Sequence, residues 1–300
     1  MTKFVHTPYA GSKTPFSVGL APLDLNDWIE VDQNLGAYLA EKERLFAADE
    51  PAVLRAQDDT REAQAEVLAL LLEHLPRRFP EQYVVDSDTV SAAASGATYA
   101  LADWRDAPLA LAAQLVQEDL VIMRQGPEGY RLVAAALCFP SSWSLTEKFG
   151  QAMTGIHEAV PDFNEGRTGR VVAKIFDNLA VDNPVWRLNW SIYGDDELHH
   201  PQAKALDARV TDGTPELYVR VERQTLRRLP ESGDLLFTIK VHVDPIAAFA
   251  THPDGERLAA GLRAQLLAMS EAQIDYKGLT KERDRIAAAL AELAGETLKL

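Results

Sequence analysis

One histidine near the end of a helical stretch, two polar residues set between tryptophans, and a strand dense in charge are where this sequence can do chemistry. His157 lies in SSWSLTEKFGQAMTGIHEAVP, residues 141–161. An imidazole whose second ring nitrogen is held by an acceptor is a good metal ligand. His157 follows Met153 by four positions, so it borders an apolar stripe and can face a pocket beside the core. Arg187 and Asn189 alternate with Trp186, Leu188 and Trp190. Arg220, Glu222, Arg223 and Gln224 fall within LYVRVERQTL, residues 217–226. A carboxylate there can hold a cation or move a proton, and the arginines can bind anionic groups. A network of ion pairs locking a sheet, with Arg187 or Arg220 facing Glu222, accounts for the same residues. The sole cysteine, Cys138, reads as a small buried hydrophobe. His199 and His200 read as solvated loop residues, because no carboxylate or Cys at ligand spacing surrounds them. His74 reads as a cation suited to a helix C-terminus.

The elements that must carry these residues are mostly strands. Val185 to Tyr193 alternates with period two, which puts Arg187 and Asn189 on the face opposite Trp186 and Trp190. Leu217 to Leu226 sets Tyr218, Arg220, Glu222 and Gln224 on one face, with Val219, Val221, Arg223 and Thr225 on the other. Asp234 to Val243 follows a turn, its Leu235, Phe237, Ile239, Val241 and Val243 inward and His242 on a polar outer face. Asp119–Arg124 and Tyr130–Phe139, separated by QGPEG, make a hairpin. Its second strand includes Cys138 and is apolar on both faces, so it belongs at the centre.

For His157 the spacing predicts one helix. Ser144 to Glu147 reads as a capping box, Phe149, Met153, Ile156 and Val160 fall along one line, and Pro161 ends the run. Further helices are expected over 35–46, over 60–75 (capped by Thr60 and stopped by Pro76), over 108–116 and over 170–179. From Gly255 the pattern is helical again, broken near Gly278. Residues 81–105 show no clear period. Residues 1–34 read as an extended arm packed by Phe4, Tyr9, Phe16 and Trp28. The expected class is α+β: an antiparallel sheet of about five strands with flanking helices. The expected division is a domain over residues 1–250 with its N-terminal arm, then a helical extension over 251–300.

Composition narrows the functions. Lys and Arg number 30 against 45 Asp and Glu, a net charge of -15, which argues against a generic nucleic-acid binder. One cysteine permits no intrachain disulfide and no Cys-ligated iron–sulfur cluster built from this chain alone. No apolar run of about 18 residues marks a membrane span. The first twenty residues lack a signal peptide's apolar core, so cytoplasm is the expected compartment. GxGxxG, Walker, HExxH and GxSxG motifs are absent.

Taken together, IHEAVPDF (156–163), RLNW (187–190) and VERQTLRRLPESGDLLFTIKVHVDP (221–245), with VGLAPLDLNDWIEVD near the start, resemble the haem-dependent oxidative N-demethylase family. The likeness covers roughly residues 16–250, and Ala159 stands where the family carries proline. It implies a PAS-like fold binding haem b, and activation of O2 to demethylate a small secondary amine such as dimethylamine, releasing formaldehyde and a primary amine. It implies electrons from NADPH through a separate flavin and iron–sulfur reductase. It makes His157 the axial iron ligand, with Cys138 as the alternative. Glu222 would hold the protonated amine or relay a proton, and Arg223, the other catalytic candidate, would hold haem propionates or polarise bound oxygen. Arg187, Asn189 and Arg220 would contact haem propionates or bound oxygen. Two other readings remain open at this level: a haem-based gas or redox sensor, and a haem-free protein whose Arg–Glu network is structural.

Overall fold

A computed structural model describes residues 4–11, 16–202, 206, 210–211 and 214–296. Its strands are β1 (Ala21–Pro22), β2 (Leu54–Ala56), β3 (Tyr83–Val85), β4 (Thr89–Ala92), β5 (Ala97–Ala100), β6 (Asp119–Gly126), β7 (Gly129–Ala136), β8 (Val185–Tyr193), β9 (Val210–Thr211), β10 (Thr214–Pro215), β11 (Tyr218–Arg228) and β12 (Leu235–Pro245). The helices are α1 (Leu35–Val53), α2 (Arg61–Arg78), α3 (Pro108–Leu115), α4 (Leu145–Lys148), α5 (Met153–Ile156), α6 (Arg167–Asn178), α7 (Gly255–Ala268), α8 (Glu271–Tyr276) and α9 (Arg283–Leu293).

The architecture is mixed, around an antiparallel sheet in the order β1-β8-β11-β12-β6-β7-β2. It has seven strands rather than about five, because the two short strands β1 and β2 add to its edges. Residues 83–100, which show no clear period, form a separate three-stranded antiparallel sheet from β3, β4 and β5. Strands of three or four residues rich in Ala, Ser and Thr are too short to leave a periodic signal.

One face of the main sheet carries Glu222, Asn189 and Val241, paired across β11, β8 and β12. It packs on a core that includes Val121, Leu132, Phe139, Leu145, Phe176 and Leu235. The opposite face packs on two cores. One joins Ile122, Val133 and Leu236 to α1, α2 and α3 through Leu39, Leu71 and Leu111. The other joins Trp190, Val219 and Val221 to Leu258, Leu262, Leu266, Ile286 and Leu290. The helices after residue 250 thus share a core with β8 and β11. No helix among the described residues is long and apolar enough to cross a membrane.

The segment carrying His157 departs from the predicted single helix. Ser144 makes no side-chain cap, and α4 ends after one turn. Gly150 then takes φ +79°, a conformation glycine adopts without a Cβ penalty. The cause lies in β7. Gly150 N–H donates to Leu132 O at 2.9 Å, Leu132 N–H donates to Gln151 O at 3.0 Å, and Arg131 bridges Ala152. Backbone that pairs with a strand cannot also close helical bonds, so the chain restarts as α5. β7 itself ends at Ala136, leaving Cys138 just beyond the strand, because Asp119 accepts the backbone N–H of Cys138 and of Phe139, each at 2.8 Å.

Helix α2 runs through Pro76 to Arg78 instead of stopping, and the Thr60 hydroxyl donates to Gln57 O rather than capping it. Its His74 is buried against the rings of Trp28 and Phe79. It is therefore a neutral core residue and not the cation expected at a helix end. Burial, with the charges of Arg77, Arg227 and Arg78, pushes its pKa down to about 4. The unfolded chain takes up this proton near pH 6.5. The stability His74 carries is therefore complete above that pH and is lost as pH falls toward 4. The loss should reach about 3 kcal/mol by pH 4. Urea unfolding of wild type and His74→Gln at pH 7 and pH 4 should show the pH-dependent gap closing in the variant.

Candidate functional site

Pairing of β11 with β8 sets Glu222 opposite Asn189 and Gln224 opposite Arg187. Side chains alternate along each strand, so these four share one face. Glu222 is 9% exposed. Its Oε2 accepts from Asn189 Nδ2 at 3.2 Å and from Gln224 Nε2 at 2.7 Å. Among the described residues no donor reaches Oε1, which leaves that oxygen for an incoming group.

Arg187 makes no hydrogen bond or ion pair among the described residues, and its Nε is enclosed without a partner. Burial lowers its pKa and the Glu222 charge raises it, with a net fall. An enclosed guanidinium nitrogen left without a partner is costly. An anionic group docking beside it would remove that cost.

His157 closes α5 and stands near Arg187. Its Nδ1 lies 3.1 Å from Met153 O, the distance of an N–H donating to a carbonyl. That bond orients the ring and leaves Nε2 as the open lone pair. The ring stacks on Phe163, with centroids 4.2 Å apart and planes 12° apart. Burial lowers its pKa against the Met153 bond, and Arg187 and Lys148 lower it further, so the imidazole is held toward the neutral form that binds metals. Half-buried apolar side chains of Met153, Ile156, Val172, Ile175, Phe237 and Val243 fringe the core on this face. Cys138 is a poor rival as ligand. It is fully buried, and burial and then the Asp119 charge push its thiol far above the range in which a thiolate forms.

The structure does not gather all the arginines here. Arg220 lies on the Glu222 face at 1% exposure, but its guanidinium is already engaged. Nε donates to Ser141 Oγ, Nη1 to Glu197 O, and Nη2 to the carbonyls of Phe139, Pro140 and Leu198. It ties two loops together and has little left to offer a ligand. Arg223 points to the opposite face, as alternation requires. There it pairs with Glu30 at 3.0 Å and donates to the carbonyls of Trp28 and Asp27. So placed, Arg223 cannot reach a propionate or oxygen bound on the Glu222 face.

The C-terminal helices supply groups that the strand patterns do not reveal. Beyond its two-residue pairing with β1, the edge of β8 borders a cavity of about 380 Å³ lined by Phe16, Trp186, Arg187, Asn189, Trp190 and Lys277, among others. Lys277 is buried, donates to Trp190 O at 2.6 Å, and sits over the rings of Phe16 and Trp190. Burial pushes its pKa down to about 8, against Glu222 and assisted by Arg187. The signal in sequence is slight: YKG, residues 276–278, at a break in a helical pattern. Gln265, from α7, accepts Trp190 Nε1–H at 2.9 Å and holds that strand against the helices.

A family model described as haem-dependent oxidative N-demethylase, alpha subunit-like, matches residues 19–287. That span includes β8, β11, β12 and His157, and it continues through α7, α8 and Lys277 into α9. The sheet, the site face and the helices packed behind it therefore all lie inside the matched sequence, and the chain belongs to the haem-dependent oxidative N-demethylase, alpha subunit-like family.

Proposed function

We propose that the chain is the haem-binding, catalytic subunit of an oxygenase that demethylates a small secondary amine of the dimethylamine type. The observation that carries this reading is His157, with Nδ1 anchored and Nε2 open, near the half-buried Arg187, whose enclosed Nε has no partner. Those two features suit the two ends of haem b, an iron seeking an imidazole and propionates seeking a cation. The apolar fringe of Met153, Ile156 and Phe237 suits the macrocycle between them. In this reading the sheet is a PAS-like platform, His157 would bind the haem iron, and Arg187 would hold a propionate with Asn189 alongside.

Haem supplies the oxygen-activating chemistry when bound. Dimethylamine, O2, NADPH and a proton give methylamine, formaldehyde, water and NADP⁺, so two electrons must arrive from outside. With a single cysteine this chain holds no iron–sulfur cluster of its own, and the alpha-subunit description of the family fits a partner that delivers them. Glu222 binds the ammonium form of the amine through Oε1 while Asn189 and Gln224 fix Oε2. It then takes the proton that must leave nitrogen before the methyl carbon is oxidised.

The test is an absorption spectrum of haem-loaded protein with and without dimethylamine, followed by turnover with an electron donor. A Soret band that shifts with amine, and formaldehyde equimolar with methylamine, are the expected results. Protein that stays colourless after haem reconstitution would overturn the reading. Haem binding without formaldehyde would turn it into the sensor reading.

A further inference from the structure

On the sheet face opposite Glu222, three residues far apart in sequence meet. His6 comes from the N-terminal arm, Glu30 from the segment before α1, and His242 from β12. His6 Nε2 lies 2.9 Å from Glu30 Oε1 and 3.1 Å from Oε2, and His242 Nε2 lies 3.2 Å from Oε2. The two imidazoles are 5.0 Å apart, and one ligand atom from each of the three residues falls within 4.8 Å of the others. All three side chains are largely buried, the most exposed being Glu30 at 25%. His242 is therefore not on a polar outer face. It is covered by the arm.

Two imidazoles and a carboxylate are a donor set that suits zinc with one position open. Tetrahedral zinc, with bonds of about 2.0–2.1 Å, places neighbouring ligand atoms about 3.3 Å apart. The separations of 3.1 Å and 3.2 Å on Oε2 are close to that spacing. Arg223 adds the outer partner such sites use. It holds Oε1 at 3.0 Å, which leaves Oε2 to be shared by both histidines.

We propose that His6, Glu30 and His242 form a zinc-binding site that clamps the N-terminal arm onto the sheet, on the face away from Glu222. The site stands whether or not the haem reading does. Calorimetric titration of the full chain with Zn²⁺ should give one ion per chain and a rise of several degrees in Tm. His6→Ala and His242→Ala should each weaken binding on the order of 10²-fold, while His199→Ala should not. His6 lies in the arm, so His6→Ala keeps the test open if His242→Ala fails to fold. No uptake at micromolar zinc, or uptake unchanged in either variant, would overturn the proposal. Haem content, read separately from the Soret band, should stay the same in all three variants.

Discussion

His157→Ala protein is expected to purify as a folded chain without a Soret band, and to recover a haem spectrum only when imidazole is added. The loss should be large, on the order of 10²-fold or more in haem affinity, because the iron bond is the strongest single attachment a haem pocket has. The fold should survive, because α5 buries no residue fully and His157 contributes one stacked contact with Phe163 and one bond to Met153. Far-UV circular dichroism and Tm should therefore sit close to wild type, with a cost of about 1 kcal/mol or less for the lost bond. Cys138→Ala is the paired control and should keep its colour. Arg187→Ala should keep the iron ligand but bind haem less tightly, because the cation offered to a propionate is gone. A Soret band retained in His157→Ala without imidazole would move the iron ligand elsewhere.

What could be read from sequence and what could not divides along a physical line. The sidedness of β8 and β11 was legible, because side chains alternate strictly and Trp186, Trp190, Val219 and Val221 mark the apolar face. The cross-strand pairing of Glu222 with Asn189 agrees with that sidedness. The broken helix before His157 was not legible. Its apolar spacing is helical, and only the pairing of Gly150 and Gln151 with Leu132, from a strand nearly twenty residues earlier, cancels the helix. The same limit holds at His242, since alternation gives a face but not what covers it. Glu30 and His6 lie more than 200 residues away in the chain. Lys277 gives no signal, because a lone lysine at a helix break carries no pattern. Arg220 and Arg223 show the converse. Their residue type suits an anion, yet backbone carbonyls and Glu30 claim them first.

The sharpest separation between a reactive carboxylate and a structural one comes from Glu222→Gln. The substitution keeps the shape and can still accept from Asn189 and Gln224, while removing the charge. If Glu222 binds the ammonium and accepts its proton, turnover per haem should fall by about 10²- to 10⁴-fold, with haem content unchanged. The amine-induced shift in the Soret band should weaken in parallel. A purely structural role predicts a different pattern. Glu222 is the carboxylate whose charge acts on both Arg187 and Lys277. Removing it leaves one cation uncompensated and drives the Lys277 pKa, already down to about 8, lower still. That would lower Tm, because the buried Lys277 would lose the negative charge that favours its ammonium form, and leave turnover per folded, haem-loaded enzyme intact. The pH profile adds a second discriminator. Lys277 neutralises as pH rises through about 8 in wild type, so the field at Glu222 becomes less positive above that pH and an ammonium is held more firmly there. Amine affinity should thus rise between pH 7 and 9 in wild type, provided the amine stays protonated. In Glu222→Gln the rise should be lost, because no carboxylate remains for the amine to meet.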